Sequence, residues 1–316
     1  MESTLNFFKI ENNYYKDKNI IITGATSPVG ISLVNTLSSL GANLLLISYD
    51  ESKLQNTFSH LLESDIDNNN EEEEEENEKQ SQSNNNDSKI TNKNPIQYEI
   101  LDLENPKEIN EKYPLCLKRL KAKLDILLIC HGITYYSKIK TCITENFDKI
   151  MNLNVRSVFH ILSLSVPFLK LTKGNCVILS SMESFIPKNQ GFLNTTSKAM
   201  INSLVQNSAL ELSSFGVRIN AVAPSIIKKE EKKEENNFDN NFGMIWGGGI
   251  INKTGDDGGG MHPLGKKLIE KENVADTILF LASDEASFIT GEIIQNDNGF
   301  SINHDLSFTN DNNQYS

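Results

Sequence analysis

The chain has 316 residues, of which 38% are hydrophobic, and a formal net charge of −12. This length allows one large α/β domain or two small ones, with a substantial buried core. The negative charge argues against a nucleic-acid-binding surface. Residues 63–94 hold eleven Asp or Glu and three Lys, a net charge of −8. The remaining −4 (−12 minus −8) is an ordinary value for a soluble enzyme.

The sequence shows neither a secretory signal nor a membrane-spanning stretch. Its first residues lack the basic segment and apolar run of a signal peptide. Apolar stretches such as 124–130 are far shorter than the roughly 18–20 residues of a membrane helix. We therefore expect a cytoplasmic protein without a metal site. Four cysteines lack CxxC or His-linked metal spacing and are expected to be free in a reducing compartment: Cys116, Cys130, Cys142 and Cys176.

The first elements alternate between strand and helix. Asn19 to Thr23 is a short apolar run that stops at Gly24. Residues 28–40 follow with apolar side chains at helical spacing, and Leu44 to Ile47 is a second buried run. The order strand, glycine turn, helix, strand is typical of the first half of a doubly wound sheet.

The rest of the chain continues this alternation. We predict one α/β domain over 1–316, a doubly wound Rossmann-type fold with a parallel sheet of about seven strands and helices on both faces. The further predicted helices are 53–62, 106–120, 144–171, 195–215 and 274–282, and the further strands are 96–103, 125–130, 175–179, 217–222 and 292–295.

Three segments interrupt this rhythm. Residues 63–94 are rich in Glu, Asn and Ser, bury no apolar surface and are predicted to be a disordered insert. Residues 226–262 are rich in Lys and Glu, then Asn, then Gly, and follow a strand at the carboxyl edge of the sheet. We interpret them as a lid-like insert over a ligand, or as an expansion without function. Residues 304–316 are predicted to be a flexible tail.

The glycine turn after the first strand is a candidate phosphate site. Gly24 allows a tight turn, and Gly30 allows a helix to pack closely on a strand. Ser27 is predicted to cap that helix, with Pro28 at its first position. The free N–H groups and positive dipole end of the helix favour a pyrophosphate.

These features resemble the short-chain dehydrogenase/reductase family, and within it the dicarbonyl/carbonyl reductase branch. The resemblance covers nearly all of the chain outside the two inserts. Pro28 replaces the middle glycine of the family pattern TGxxxGxG, and residues 129–131 replace Asn-Asn-Ala before Gly132. The motifs that carry the resemblance are 23–30, 102–103, 125–132, 151–155, 180–181, 194–198, 224–227 and 274–299.

The resemblance implies an active site in which a Tyr exchanges a proton while hydride moves between nicotinamide and substrate. A Lys lowers the pKa of that Tyr, a Ser orients the substrate oxygen and an Asn supports a water relay. Lys198, Ser181 and Asn154 occupy these last three positions. Asn194 occupies the Tyr position, and an amide has no useful acid–base pKa.

The resemblance also implies an NADP or NAD cofactor. An acidic side chain at position 48 would select NAD, and a following Arg would favour the 2′-phosphate of NADP. Ser48 repels neither cofactor, Tyr49 supplies no charge, and Asp50 lies two residues too far along the chain. The sequence leans slightly to NADP and leaves the choice open. The implied cofactor-binding residues are Thr23, Gly24, Ser27, Val29, Gly30, Ser48, Asp102, Leu103, Gly132, Lys198, Pro224 and Ile227.

Two functional hypotheses follow from Asn194. In the first, the protein is an NAD(P)-dependent carbonyl reductase or alcohol dehydrogenase, and Tyr135 or Tyr136 supplies the missing phenol; a surface tyrosine pair is the alternative. In the second, it is a catalytically silent dinucleotide-binding or interaction protein, as Pro28 and the changed 129–131 segment suggest. His131 either relays protons or simply fills the loop.

The expected partners are a small carbonyl or alcohol substrate and other copies of the chain. In the family, helices corresponding to 144–171 and 195–215 build dimer and tetramer interfaces. The resemblance therefore implies a homodimer or homotetramer, with no nucleic acid and no membrane as partner.

Overall fold

The structure is a computed structural model that describes residues 14–62, 96–228, 242–244, 263–264 and 268–303. The predicted insert 63–94 and the predicted tail 304–316 lie outside these residues, as does most of 226–262. That the whole chain forms one domain therefore remains a prediction.

Seven parallel strands form one sheet in the order β3-β2-β1-β4-β6-β7-β9, and β5 pairs antiparallel with β8. This order, which grows outward in both directions from β1, confirms the predicted Rossmann-type sheet. The strands are β1 (Asn19–Thr23), β2 (Asn43–Ser48), β3 (Gln97–Ile100), β4 (Ile126–Ile129), β5 (Ile133–Tyr135), β6 (Asn175–Leu179), β7 (Arg218–Pro224), β8 (Phe242–Met244) and β9 (Ile293–Asn296).

Helices cover both faces of the sheet, as predicted. α1, α2 and α7 bury one apolar layer against it, and α3, α5 and α6 bury the other. The helices are α1 (Pro28–Ser39), α2 (Glu51–Leu62), α3 (Pro106–Arg119), α4 (Thr144–Met151), α5 (Ser157–Thr172), α6 (Phe192–Leu212) and α7 (Lys271–Ala282).

The central strands are apolar throughout because both of their faces are covered. Ile20 and Ile22 point into the layer beneath α1, and Ile21 points into the opposite layer. Because successive side chains along a strand point to opposite faces, each central strand contributes to two apolar layers, and neither face is exposed to solvent.

Some predicted boundaries were wrong by a few residues. The strand predicted over 96–103 ends at Ile100, before Asp102. The helix predicted over 195–215 is α6, which starts three residues earlier at Phe192, so Asn194 lies in its first turn. The short β5–β8 pair was not predicted, because three residues are too few for a periodic pattern.

Helices α4 and α5 are continuous through a π-helical turn, Asn152–Arg156. By length and composition alone, the resulting helix over 144–172 could cross a membrane. A core helix of a soluble protein passes the same test, and Val158, Ile161 and Leu162 of this one are buried against the sheet. We therefore interpret it as a core helix of the domain.

The first described residues hold the last helix in place. Tyr15 is fully buried, and its hydroxyl donates to the Leu279 carbonyl at 2.5 Å. The Tyr14 hydroxyl donates to the Ala282 carbonyl at 3.2 Å. These bonds use carbonyl groups near the end of α7, where a helix has no partners of its own.

The glycine turn is packed against itself and against the loop after β4. Gly24 has a φ of +66°, and a Cβ there would lie 2.7 Å from the His131 backbone. A Cβ on Gly30 would lie 2.3 Å from the Gly24 carbonyl oxygen. Helix α1 can therefore start directly at the carboxyl end of β1 only because both residues lack side chains.

Replacing Gly30 with Ala should destabilise the domain by roughly 1–3 kcal/mol, because backbone atoms must move to admit the methyl group. Urea denaturation followed by circular dichroism measures this change. Asn35→Ala on the exposed face of α1 is the matched control and should stay within about 0.5 kcal/mol of the wild type. Equal stability of Gly30→Ala and wild type would contradict the close approach.

Candidate active site

A small pocket opens at the carboxyl edge of the sheet, beyond β4 and β6, where doubly wound folds bind ligands. Three elements supply most of its wall: the π-helical turn, the start of α6 and the segment that follows β6. It is lined by Ile133, Thr134, Asn154, Ser181, Glu183, Asn194 and Lys198. All three predicted catalytic residues, Asn154, Ser181 and Lys198, lie in this set.

The π-helical turn places Asn154. Its Oδ1 accepts the Ile133 N–H at 2.9 Å, and its Nδ2 donates to the Ile133 carbonyl at 2.8 Å. The same Nδ2 lies 3.3 Å from the Ser197 hydroxyl on α6. One buried amide thus joins β5, the π-helical turn and α6. Such turns, with one extra residue per turn, are frequent at functional sites.

Ser181 caps the single turn of 3-10 helix that follows β6, Met182–Ser184. Its Oγ accepts the Glu183 N–H at 3.2 Å. This bond fixes the Ser181 side chain beside Glu183, which is itself only 4% exposed. Glu183 was not predicted as a site residue, because a Glu two residues after the family's serine matches no motif.

Lys198 extends from α6 into the interior. Its Nζ donates to the Leu179 carbonyl at the end of β6 at 2.7 Å, and its side chain is buried. Burial lowers the pKa of Lys198 to about 7, although the charge of Glu183 opposes this change. A lysine with this pKa exists in both protonation states near neutral pH.

Asn194 stands one helical turn before Lys198 and is 3% exposed. Its Oδ1 accepts the Tyr135 N–H at 2.9 Å, so the amide holds the end of β5. Its Nδ2 is buried without a hydrogen-bond partner. Buried donors of this kind are rare, and a ligand acceptor is one explanation for them. Asn194 thus offers the pocket an N–H group where the family has a phenol.

The two tyrosines that follow β4 lie in different surroundings. The Tyr135 hydroxyl accepts a hydrogen bond from Asn146 Nδ2 at 2.8 Å, within a small apolar cluster beside α4. The Tyr136 hydroxyl donates to Glu183 Oε1 at 2.5 Å. Burial, and then the charge of Glu183, raises the pKa of Tyr136. Of the two hydroxyl groups, only that of Tyr136 is bonded to a described residue that lines the pocket.

His131 is held between two hydroxyl groups. Its Nδ1 lies 2.7 Å from Thr23 Oγ1, and its Nε2 lies 2.7 Å from Ser157 Oγ. The Ser157 hydroxyl donates to the Leu153 carbonyl. The Ser157 oxygen must therefore accept the hydrogen of His131 Nε2, and the Thr23 hydroxyl donates to His131 Nδ1. Burial, and then the charge of Lys198, lowers the pKa of His131 to about 3. A neutral, bridging role favours the loop-filling interpretation over a proton relay.

The glycine turn fits the phosphates of a dinucleotide. Ser27 caps α1, with its Oγ accepting the Gly30 N–H at 3.1 Å, and Pro28 begins the helix. The first turn of α1 carries no acidic residue, so the positive end of the helix is not neutralised. Val29 contributes its backbone to the turn, while its side chain is buried in the core.

Ser48 ends β2 beside this turn. Its Oγ lies 3.4 Å from Thr26 Oγ1, and it interacts with the Asp50 backbone at 3.2 Å. Asp50 accepts the Lys53 N–H at 2.9 Å and so caps the start of α2. Ser48 is uncharged, and the Asp50 carboxylate lies two residues beyond the position at the end of β2 where an acidic side chain selects NAD.

The remaining predicted cofactor residues lie around the same edge. Asp102 is exposed and accepts the Glu104 N–H at 2.9 Å, whereas Leu103 is buried in the core. Gly132 follows His131 with a φ of 151°. Pro224 ends β7, and the buried Ile227 pairs with Ile269.

Comparison with known proteins identifies the family. Residues 74–301 match the family model for Enoyl-(Acyl carrier protein) reductase. The 3-oxoacyl-(acyl-carrier-protein) reductase FabG of Thermotoga maritima is 31% identical over 211 residues, which cover 66% of this chain and 77% of the relative. The chain belongs to the short-chain dehydrogenase/reductase family. The resemblance to this family is thereby confirmed, while the dicarbonyl/carbonyl reductase branch remains a prediction.

Further family members match nearly the whole chain. The NAD-dependent glycerol dehydrogenase of Listeria innocua is 27% identical over 288 residues, covering 90% of this chain and 94% of the relative. The NADP-bound structure of ElxO has a TM-score of 0.69 at 22% identity, covering 90% of this chain and 99% of that one. The second likeness establishes the fold alone.

Replacing Lys198 with Met should raise the Tm at pH 6. The pKa of Lys198 is lower in the folded state than in the unfolded chain, so folding below pH 7 carries the full cost of burying the ammonium. The difference between 10.5 and about 7 corresponds to at most about 5 kcal/mol. This cost decreases as the pH rises toward 10.5, and the gain in Tm should decrease with it.

Thermal unfolding at pH 6, 8 and 9.5 measures this trend. Lys118→Met is the matched control, since Lys118 is exposed on α3 and its replacement should give a small change at every pH. A Tm gain for Lys198→Met that does not depend on pH would show that the lysine is not buried in its charged form.

Proposed function

We propose that this protein is a cytoplasmic NAD(P)-dependent oxidoreductase that interconverts a small carbonyl compound and its alcohol, with an altered acid–base site. The observation that carries the proposal is the convergence of Asn154, Ser181 and Lys198 on one pocket, beside the glycine turn. Three elements far apart in the sequence supply these residues, and family membership gives their spacing a chemical meaning.

A nicotinamide dinucleotide is the cofactor that the site fits, and it would supply or accept hydride. The residues proposed to hold it are those around 23–30, Ser48, 102–103, Gly132, Lys198 and 224–227. ElxO binds NADP and the glycerol dehydrogenase of Listeria innocua is NAD-dependent. Ser48 places no carboxylate at the end of β2 to repel a 2′-phosphate, which supports NADP for this chain.

The pocket residues are proposed to bind the substrate oxygen and to hold a proton. The Ser181 hydroxyl and the unpartnered Asn194 Nδ2 are the donors available to a substrate oxygen. Lys198 Nζ is the group that holds a proton, and burial brings its pKa to about 7. Carbonyl reduction should therefore slow as the pH rises through 7 and Lys198 loses its proton.

A catalytically silent role is the second candidate. Asn194 holds Tyr135 through its backbone, His131 bridges two hydroxyl groups, and Pro28 removes one N–H from the turn. Each replacement residue is thus integrated into the structure without needing a reaction. This candidate requires binding of a dinucleotide or another ligand without turnover.

Titration of the full-length protein with NADH and NADPH, followed by fluorescence, is the first test. A panel of aldehydes, ketones and secondary alcohols is then assayed by absorbance at the nicotinamide band. Turnover supports the oxidoreductase and excludes the silent role, whereas binding without turnover supports the silent role. Failure to bind either cofactor would overturn the oxidoreductase proposal.

Asn194→Tyr should increase carbonyl reduction by roughly 10²–10⁴-fold, the usual effect of a positioned acid–base group. The phenol would stand one turn from Lys198, whose charge favours the phenolate. Asn194→Phe is the control. A Phe side chain is nearly as large as that of Tyr but lacks the hydroxyl, and both variants remove the acceptor for the Tyr135 N–H. Lys198→Ala in the Asn194→Tyr background should remove most of the gain.

A gain shared equally by Tyr and Phe at position 194 would mean that the hydroxyl plays no part. If Asn194→Tyr folds, binds cofactor and still reduces no carbonyl compound, the silent role becomes the better account of the pocket.

Homo-oligomerisation is proposed through α5 and α6. Both helices carry large exposed apolar side chains, namely Phe159 and Leu171 on α5 and Met200 and Leu210 on α6. A cluster of such residues is typical of an interaction surface. The family uses the corresponding helices for its dimers and tetramers, which supports the same arrangement here.

Light scattering at micromolar concentration should give a dimer or tetramer. Phe159→Glu should shift this distribution toward the monomer, because it buries a charge in the interface. Phe288→Glu is the control, since Phe288 is fully exposed and lies outside both helices. A monomeric wild-type protein would contradict the proposal.

A further inference from the structure

The pocket contains a carboxylate that the family's reaction does not use. Glu183 is 4% exposed and lines the pocket beside Ser181 and Lys198. Its Oε1 accepts from the Tyr136 hydroxyl, while its Oε2 has no hydrogen-bond partner among the residues that the structure describes. This second oxygen is open to water or to a ligand that provides a donor or a positive charge.

The protein's own cations do not satisfy this oxygen. Lys198 Nζ donates to the Leu179 carbonyl, and it lies close enough to interact with Glu183 electrostatically without forming an ion pair. Lys188 is also close enough for the charge of Glu183 to act on it, while burial lowers the pKa of Lys188. The unsatisfied carboxylate oxygen therefore remains available to a ligand.

We propose that this pocket accepts substrates whose reacting carbon is double-bonded to a positively charged nitrogen, that is, iminium ions, with Glu183 as the counter-ion. This inference rests on the proposed function for its cofactor and extends that function beyond carbonyl compounds. Asn194 and Glu183 carry it together, because one removes the proton donor and the other provides a place for a cation.

The chemistry of an iminium ion suits a site that lacks the family's phenol, because reduction then needs no proton from Lys198 either. Addition of hydride to the iminium carbon moves the π pair of the C=N bond onto nitrogen as a lone pair. The product is a neutral amine, and the positive charge passes to the oxidised nicotinamide. Atoms and charge balance without a proton. A carbonyl group, in contrast, becomes an alkoxide that must be protonated, which is the step that Asn194 cannot perform.

Lys198 should control this binding through its own charge. Its titratable neighbours are Glu183, Cys130 and His131; burial raises the pKa of Cys130 to about 12 and lowers that of His131 to about 3. Both neighbours stay neutral near pH 7, so Lys198 is the group that titrates there. A permanently charged ligand should bind more tightly at pH 8 than at pH 6, the opposite of the trend for carbonyl reduction.

The probe is N-methyl-3,4-dihydroisoquinolinium, an iminium ion that cannot lose its charge, and α-tetralone is a neutral ketone of similar size. Calorimetry of the full-length protein at pH 8 measures binding of each without turnover. Glu183→Gln should weaken binding of the iminium probe at least about tenfold and leave the ketone within about twofold, as for loss of one buried counter-ion. Glu211→Gln, an exposed change on α6, should affect neither.

Two further measurements test the proposal independently of Glu183→Gln. Tyr136→Phe keeps the carboxylate and should retain binding of the iminium probe, even if Glu183→Gln fails to fold. For the wild type at pH 7, binding should release protons from Lys198, which titrations in two buffers of different ionisation enthalpy detect. Equal affinity of Glu183→Gln and wild type for the probe, no proton release, or no preference for the cation at pH 8 would each overturn the proposal.

Turnover separates this proposal from the function on which it rests. With NADPH present, the wild type should reduce the iminium probe faster than α-tetralone. Asn194→Tyr should accelerate only the ketone. Turnover of ketones without binding of the probe would leave the oxidoreductase intact and overturn the iminium proposal. Probe binding without any cofactor binding would support the cation site while overturning the oxidoreductase.

Discussion

The site depends on the register of three neighbouring parallel strands. Thr23 of β1 pairs with Ile129 of β4, and Ile129 pairs with Ile178 of β6, so the three strands end side by side. The glycine turn, the His131 loop and Ser181 must then leave the sheet at the same level. A slip of one residue in either pairing would turn each side chain to the other face. Because both faces are buried, that slip would disrupt two apolar layers at once.

The order of the elements and the grouping of three family positions in one pocket could be predicted because both are local or family-wide signals. Buried strands and capped helices are visible in short windows, and Asn154, Ser181 and Lys198 are recognisable by their spacing. Glu183 could not be found in this way. Its importance arises from burial and from a bond to Tyr136, which lies 47 residues earlier in the chain. The structural role of His131 likewise depends on Thr23 and Ser157, which the sequence does not connect.

Asn194 in place of the family's Tyr removes a proton donor from the pocket and also changes the electrostatics of the pocket. Lys198 keeps its buried position and its bond to Leu179, and Asn194 satisfies a backbone N–H of β5 instead of facing the lysine with an acid. The site therefore retains a charged group whose usual partner is missing. Such an arrangement persists in a folded protein only when the surrounding packing is strong enough to tolerate its cost. Here Lys198 extends from α6, whose apolar face packs into one of the two layers on the sheet.

The bonds from Tyr14 and Tyr15 to α7 have a consequence for how the chain folds during synthesis. Residues near the start of the protein are hydrogen-bonded to carbonyl groups more than 260 residues later. The ribosome must therefore deliver nearly the whole chain before this face of the sheet can close, and contacts of such long range slow folding. Until then, α1 can already cover Ile20 and Ile22 of β1, but Tyr14 and Tyr15 lack their hydrogen-bond acceptors. The packing of α7 on Tyr14 and Tyr15 is thus expected to be a late step of folding.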